Sequence, residues 1–227
     1  MINNKRIVGV IPARAGSKGI PNKNMALLRN KPLIYWTIMA AKKSRYLDEV
    51  IVSTDDPIIQ DYARENDCKA DFLRPAALST DEASSVDVVR DILGREDGFC
   101  YLVLLQPTSP LRRSEDIDAC VQLSVTKELL SLVSITKSNE HPFLAYERGD
   151  FGDLKPFVSR DSGVSLRRQD LPSSFRINGA IYCVNVNWFK ENKALISDES
   201  HGYIMPAHSS LDIDTLEDLA QAERNFE

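Results

Sequence analysis

Short β-branched runs alternate with helical segments along this chain, and this alternation constrains its fold more than any other feature. Residues 7–11 form a nearly continuous apolar run that ends at Pro12, which is typical of a strand buried on both faces of a parallel sheet. Pro32 suits the first position of a helix that reaches about residue 43. Further strands are predicted at 49–53, 70–73, 101–105, 130–136, 181–184 and 203–205, and further helices at 57–65, 85–93, from 114, from about 187 and at 215–226.

The repeated strand and helix units predict an α/β protein, a Rossmann-like three-layer fold with a mostly parallel central sheet and helices on both faces. Residues 138–176 interrupt the alternation with prolines, glycines and scattered charges, so we expect irregular structure and short strands there. The 227 residues are enough to bury one substantial core, which favours a single domain over residues 1–227.

The sequence predicts neither a membrane span nor a signal peptide. No stretch approaches the roughly 18 consecutive apolar residues that span a bilayer, and the first apolar run lacks the length and cleavage site of a signal peptide. The four cysteines are widely spaced without a CxxC pair, which indicates reduced, mostly buried thiols. We therefore expect a cytoplasmic protein that does not bind a membrane.

Charge is distributed unevenly along the chain. The net charge of -5 and the pI near 5.4 argue against binding to nucleic acid through bulk positive potential. Residues 1–47 nevertheless contain ten cations and no acid, whereas the remainder has 18 cations and 33 acids. A basic segment in an acidic chain predicts a local site for a compact polyanion such as a nucleoside triphosphate.

Residues 12–24 form a loop directly after the first strand, where ligands bind in open α/β sheets. Gly16 and Gly19 permit a close approach of the backbone, while Arg14, Lys18 and Lys23 can surround phosphate oxygens with charge-assisted hydrogen bonds. The loop matches neither the P-loop nor the dinucleotide-binding turn. The pattern favours phosphate binding, although either lysine taken singly can also be a solvated surface cation.

Asp212 and Asp214 alternate in an extended segment, so both carboxylates point the same way and can reach one hard cation. Mg²⁺ prefers such oxygen ligands together with water and substrate phosphates. Residues 214–217 also fit the start of a capped helix, an alternative that explains Asp214 but gives Asp212 no task. The spacing therefore favours a Mg²⁺ site.

Five segments in chain order resemble those of the CMP-sialic acid synthetases, the acylneuraminate or nonulosonic acid cytidylyltransferases: VIPARAGSKGIPNKN, RPAALSTDEAS, LLQPTSPLR, FRINGAIY and LDIDTLEDL. The resemblance covers essentially the whole chain. It implies that CMP is transferred from CTP to the anomeric hydroxyl of a nonulosonic acid, with Mg²⁺ as cofactor and pyrophosphate as the second product. Sialic, legionaminic and pseudaminic acids are all possible substrates.

The resemblance also implies roles for individual residues. Those expected at the nucleotide are Arg14, Ser17, Lys18, Lys23, Asn24, Arg74 and Ser84. Those expected at the sugar are Gln106, Arg168, Arg176 and Asn178. The catalytic set is Arg14, Lys18, Lys23, Asp212 and Asp214, with the two aspartates as metal ligands. For Ser84 a helix cap is the competing interpretation.

Residues 138–176 resemble a small dimerisation insertion, which implies a homodimer in which Arg168 reaches the sugar site of the neighbouring subunit. Two other functions stay open. One is a cytidylyltransferase for the eight-carbon keto sugar of lipopolysaccharide, although that group typically has a tighter arginine-containing loop in place of AGSKGIPNKN. The other is a non-catalytic nucleotide-binding protein, which has no evident need for a metal at the phosphates.

Overall fold

Ten strands and six α-helices make up the regular structure in a computed structural model that describes residues 2–17, 19–159 and 165–226. The strands are β1 (Ile7–Pro12), β2 (Leu27–Leu28), β3 (Lys31–Pro32), β4 (Glu49–Ser53), β5 (Tyr101–Leu105), β6 (Ser131–Lys137), β7 (Tyr146–Arg148), β8 (Leu154–Pro156), β9 (Phe175–Asn185) and β10 (His201–Ile204). The helices are α1 (Leu33–Lys43), α2 (Pro57–Glu65), α3 (Ser85–Arg95), α4 (Ser114–Thr126), α5 (Val186–Asn192) and α6 (Leu216–Asn225).

Six strands form the central sheet in the order β10-β6-β9-β5-β1-β4. β1 pairs in parallel with β4 and β5, and β10 pairs in parallel with β6. Only β9 runs antiparallel to its two neighbours in this sheet. The predicted mostly parallel sheet is confirmed, and the parallel β1 and β5 end at the same edge, where a ligand site is expected.

Two apolar cores lie on opposite faces of this sheet. Ile7 and Ile11 of β1 pack into the core that α1, α2 and α4 cover, whereas Val8 and Val10 pack into the core that α3 and α5 cover. The alternation follows from the two-residue period of a strand, which sends successive side chains to opposite faces. Helices on both faces confirm the predicted three-layer arrangement.

The strand predicted at 70–73 is wrong. Lys69 makes an isolated bridge with Ile51, and the backbone pairs again only where the Arg74 N–H donates to the Thr54 carbonyl at 2.7 Å. β9 also begins at Phe175, six residues before the predicted start at 181. Phe175 and Ile177 in its outer half are exposed, so this half lacks the buried apolar run from which the other strands were predicted.

The described residues between β6 and β9, 138–159 and 165–174, leave the central sheet and contain the two-stranded hairpin β7–β8. Three apolar side chains are exposed on and beside this hairpin: Phe151 at 100%, Leu154 at 63% and Phe157 at 70%. The short strands agree with the structure expected for this segment.

All four cysteines are free, and Cys68, Cys120 and Cys183 are buried. Burial raises the pKa of the Cys68 thiol to about 11 and that of Cys183 to about 12, so both are protonated at neutral pH. Over the described part of the chain, no helix has the length and hydrophobicity that a membrane span requires.

Candidate active site

A cavity of about 630 Å³ opens beyond the ends of β1 and β5, a volume typical of small-molecule sites. Four loops build its wall: the loop after β1, the loop before α3, the loop after β5 and the segment before α6. Eight of the predicted site residues come together on this wall: Arg14, Ser17, Lys23, Asn24, Arg74, Gln106, Asp212 and Asp214. Residues that are far apart in the sequence therefore meet in one place.

Arg14 in the loop after β1 is held at both its backbone and its side chain. Its carbonyl accepts a 2.8 Å hydrogen bond from Asn24 Nδ2, and its guanidinium forms an ion pair with Asp81 at 2.5 Å. The next residue, Ala15, donates its N–H to Asp55 Oδ1 at 2.9 Å. These contacts present the Arg14 side chain to the cavity.

Lys23 connects the same loop to the segment before α6. Its Nζ lies 2.8 Å from Asp214 Oδ1 and donates to the Ile213 carbonyl at 3.0 Å. A Cβ at Gly19 would collide with the Asp214 carbonyl, so only glycine permits this close approach. Lys18, which the sequence assigns to the phosphates, lies outside the described residues.

Arg74 is only 5% exposed, yet its guanidinium is not fully hydrogen-bonded. Nε donates to Ser79 Oγ at 3.2 Å, while Nη2 lies 3.7 Å from Asp55 Oδ1 and makes no hydrogen bond. Burial lowers the Arg74 pKa. The Asp55 carboxylate raises this pKa, whereas the like charge of Arg14 lowers it further. A ligand oxygen at this wall would satisfy the unpaired N–H.

Ser84 is the N-cap of α3. Its Oγ accepts the Asp87 N–H at 3.2 Å, and Asp87 Oδ2 accepts the Ser84 N–H at 3.3 Å, which forms a capping box. Its neighbour Ser85 lies on the cavity wall, and Ser84 does not. The contacts of Ser84 therefore fit the helix-cap interpretation. At this point of the cavity wall the structure has Ser85 where the sequence analysis expected Ser84.

Gln106 follows β5 on the cavity wall, where its Oε1 lies against Gly179. Gly179 has φ +75°, and a Cβ there would come within 2.8 Å of Gln106 Oε1, so backbone geometry and space both require glycine. This glycine sits where β9 bulges opposite the register shift in β6. The bulge makes room for the Gln106 amide.

Arg112 fixes the backbone of Gln106 from beneath. Its Nη1 donates to the carbonyls of Gln106 at 3.2 Å and Ala180 at 2.7 Å, and its Nη2 donates to Thr37 Oγ1 at 2.7 Å. Complete burial lowers the Arg112 pKa to about 9, which still leaves it charged at neutral pH. The sequence analysis missed Arg112, because nothing in the sequence separates it from the adjacent, exposed Arg113.

Asp212 and Asp214 both line the cavity, and the segment that carries them is anchored by a 2.8 Å hydrogen bond from the Ile213 N–H to the Thr108 carbonyl. Burial raises the Asp212 pKa, a hydrogen bond with Thr108 lowers it and the nearby Asp214 charge raises it again. Asp212 Oδ1 is buried and accepts no hydrogen bond. A buried carboxylate oxygen without a partner is suited to a cation.

These two carboxylates fit Mg²⁺ only in combination with ligand oxygens. No group of three or more His, Cys, Asp and Glu residues suited to a metal occurs among the described residues. Mg²⁺ commonly binds through one or two carboxylates, completed by waters and substrate phosphates. The capping alternative does not account for Asp214, because Thr215 is the N-cap of α6 and its Oγ1 accepts the Asp218 N–H at 3.2 Å.

The other three residues assigned to the sugar do not line the cavity. Asn178 is 2% exposed, its Nδ2 donates to Ser210 Oγ at 2.9 Å, and its Oδ1 accepts from Ser134 Oγ at 2.6 Å. Arg176 is exposed on β9, and exposed Arg168 forms a 2.9 Å ion pair with Glu140 in the segment 138–174. Asn178 thus supports the site from below, whereas the two arginines lie outside it within one chain.

Four hydroxyl-bearing residues of the wall were also missed by the sequence analysis: Thr80, Ser85, Thr108 and Thr215. Serine and threonine are common in loops and at helix starts, so their type and spacing give no signal of a binding role.

Comparisons with known proteins agree with this geometry. The profile of the cytidylyltransferase family matches residues 8–224. The N-acylneuraminate cytidylyltransferase of Streptococcus agalactiae serotype V is 36% identical over 92% of this chain and 51% of its own length, so the chain spans about half of that relative. The CMP-N,N'-diacetyllegionaminic acid synthase of Legionella pneumophila is 36% identical over 98% of this chain and 97% of its own.

Among solved structures, a CMP:2-keto-3-deoxy-manno-octonic acid synthetase complexed with CTP covers 97% of this chain and 98% of its own, with a TM-score of 0.74. Its sequence identity of 19% makes this a likeness of fold alone. The family match and the two sequence relatives extend over nearly all of the chain. The chain therefore belongs to the cytidylyltransferase family.

Proposed function

We propose that this protein transfers CMP from CTP to the anomeric hydroxyl of a nonulosonic acid and releases pyrophosphate. The observation that carries the proposal is one cavity whose wall combines Arg14 and Lys23 with Gln106 and with the carboxylates of Asp212 and Asp214. The Streptococcus and Legionella relatives, whose names specify nine-carbon acids, support this class of sugar over the eight-carbon one.

The cationic side of the cavity suits the triphosphate. Arg14 and Lys23 donate charge-assisted hydrogen bonds to its oxygens and stabilise the negative charge that develops on the leaving pyrophosphate. The unpaired N–H of Arg74 and the hydroxyls of Ser17 and Ser85 supply further donors to the nucleotide. Lys18 is assigned to the phosphates on the family resemblance.

The part of the wall that carries Gln106 suits the sugar. The Gln106 amide hydrogen-bonds the acid and orients its anomeric hydroxyl towards the α-phosphorus of CTP. A bond forms between this oxygen and the α-phosphorus while the bond from phosphorus to the pyrophosphate oxygen breaks, and the hydroxyl proton passes to a base. The protein supplies position and charge, so no covalent enzyme intermediate is required.

Asp212 and Asp214 would hold Mg²⁺, and the unpartnered oxygen of Asp212 fits this role. When bound, the ion neutralises phosphate charge and lowers the pKa of a coordinated hydroxyl.

The exchange of each aspartate for asparagine tests this assignment. Asp212→Asn and Asp214→Asn keep side-chain size but remove the charge, so we expect turnover to fall about 100-fold or more while the circular dichroism spectrum is unchanged. Glu217→Gln, an exposed residue three positions along, is the matched control and should keep full activity. Near-normal turnover of Asp214→Asn would remove the metal assignment.

We further propose that the segment 138–174 joins two subunits into a homodimer. Large exposed apolar side chains such as Phe151 and Phe157 support this, because soluble monomers rarely expose contiguous apolar surface. Arg168 would then reach the sugar carboxylate in the partner's cavity, and Arg176 would lie close by. The four free cysteines support a cytoplasmic location.

A further inference from the structure

The two described cations of the loop after β1 that face the cavity are each already paired with a carboxylate. Arg14 lies 2.5 Å from Asp81, and Lys23 lies 2.8 Å from Asp214. In both pairs at least one side chain is well exposed, at 41% for Asp81 and 72% for Asp214. Solvent-exposed ion pairs contribute little to stability, so another anion can replace either carboxylate.

The two carboxylates differ in what the proposed reaction requires of them. When Lys23 binds phosphate instead of Asp214, Asp214 can serve as the candidate metal ligand. Asp81 has no such task, and its charge has the same sign as the nucleotide. A carboxylate placed against Arg14 therefore competes with the ligand that the arginine is there to bind.

We propose that Asp81 is a displaceable counter-ion of Arg14. The phosphates of CTP replace Asp81 at Arg14 on binding, and the ion pair between Asp81 and Arg14 forms again as pyrophosphate leaves. The inference rests on the proposed function and adds a residue that sets the affinity of the site for anions. Any anion that binds Arg14 must first break this ion pair, so Asp81 lowers the affinity of the site for CTP and for pyrophosphate alike. Asp81 thus assists the release of pyrophosphate.

The surrounding contacts explain why a counter-ion is needed here. Arg74 lies close enough to Arg14 for the like charge to lower the Arg74 pKa. Asp55 approaches Arg74 on one side and the backbone after Arg14 on the other. Ser79 and Asp81 belong to one loop, which contacts both guanidinium groups. Without Asp81, Arg14 would lose its ion-pair partner beside the like charge of Arg74, whereas Asp55 and Asp91 would still act on Arg74.

The test is the binding of CTP and of pyrophosphate, each measured by isothermal titration calorimetry with Mg²⁺ present. Asp81→Asn should bind both anions about two- to fivefold more tightly than wild type, with a similar gain for each. Glu82→Gln removes the same charge one residue along, on an exposed side chain, and is the matched control for a general charge effect. The gain should shrink when Asp81→Asn is combined with Arg14→Ala, because the paired cation is then absent.

Each outcome has a defined meaning. Tighter binding in Asp81→Asn alone, reduced in the double variant, supports the counter-ion. Unchanged or weaker binding in Asp81→Asn, or an equal gain in Glu82→Gln, overturns it while leaving the proposed function intact. Absence of CTP binding in the wild type and every variant would overturn the proposed function and this inference with it.

Discussion

At the scale of single residues, the site depends on a buried arginine that does not face the substrate. Arg112 donates to the Gln106 and Ala180 carbonyls and to Thr37, so it joins the loop after β5 to β9 and α1. Its three partners are backbone or hydroxyl oxygens. Arg112 therefore holds the Gln106 backbone together with the Ser109 N–H, which donates to the same carbonyl at 3.3 Å.

We expect Arg112→Ala to lower the free energy of unfolding by about 3 kcal/mol, because it removes three buried hydrogen bonds of a charged group. Urea denaturation followed by circular dichroism measures this loss. Arg113→Ala, at the exposed neighbouring position, should change the free energy of unfolding by less than about 0.5 kcal/mol. Equal effects of the two substitutions would show that the buried contacts of Arg112 do not stabilise the fold.

At the scale of elements, adjacent serines at the start of α3 have separate tasks. Ser84 caps the helix and Ser85 faces the cavity. Ser84→Ala should lower stability by about 1 kcal/mol and leave CTP binding unchanged. Ser85→Ala should weaken CTP binding without loss of stability. Thermal unfolding and calorimetric titration of both variants separate the two effects, and the reverse pattern would contradict the assignment.

The elements show where sequence reasoning succeeds and where it stops. Buried strands such as β1 and β5 were predicted because both faces are apolar, and α2 was predicted at its observed bounds. The outer half of β9 was missed because its pairing with β6 is made by exposed residues and contains a bulge. Residues 70–73 look like a strand in composition, but the backbone pairs with the sheet edge at the flanking residues Lys69 and Arg74 instead.

The same distinction holds for the site. Charge and spacing predicted that Arg14, Lys23, Asp212 and Asp214 belong to a site, and all four line the cavity. Cations in a loop after a strand and alternating acids can be recognised from residue type and position alone. Arg112, Ser85 and Thr108 could not be found, since their roles depend on which loops meet. Asn178 was assigned to the sugar by resemblance, but its amide is occupied by Ser134 and Ser210 within this chain.

At the scale of the whole molecule, one chain brings the cations of the cavity wall and Gln106 together but leaves Arg168 outside the cavity. If a partner subunit supplies Arg168, sedimentation velocity will show a dimer at assay concentration. We expect Phe151→Ser combined with Phe157→Ser to shift the protein towards monomer, because these exposed apolar side chains lose their contact area. A wild-type protein that sediments only as monomer would contradict the shared site.

The most direct test of the account is pyrophosphate release in the presence of Mg²⁺, CTP and a panel of keto acid sugars. The panel contains N-acetylneuraminic, legionaminic and pseudaminic acids and the eight-carbon lipopolysaccharide sugar, with ATP, GTP and UTP as nucleotide controls. We predict release with CTP and at least one nine-carbon acid, lost in Asp214→Asn. Release only with the eight-carbon sugar, or CTP binding without release with any acid, would contradict the proposed reaction.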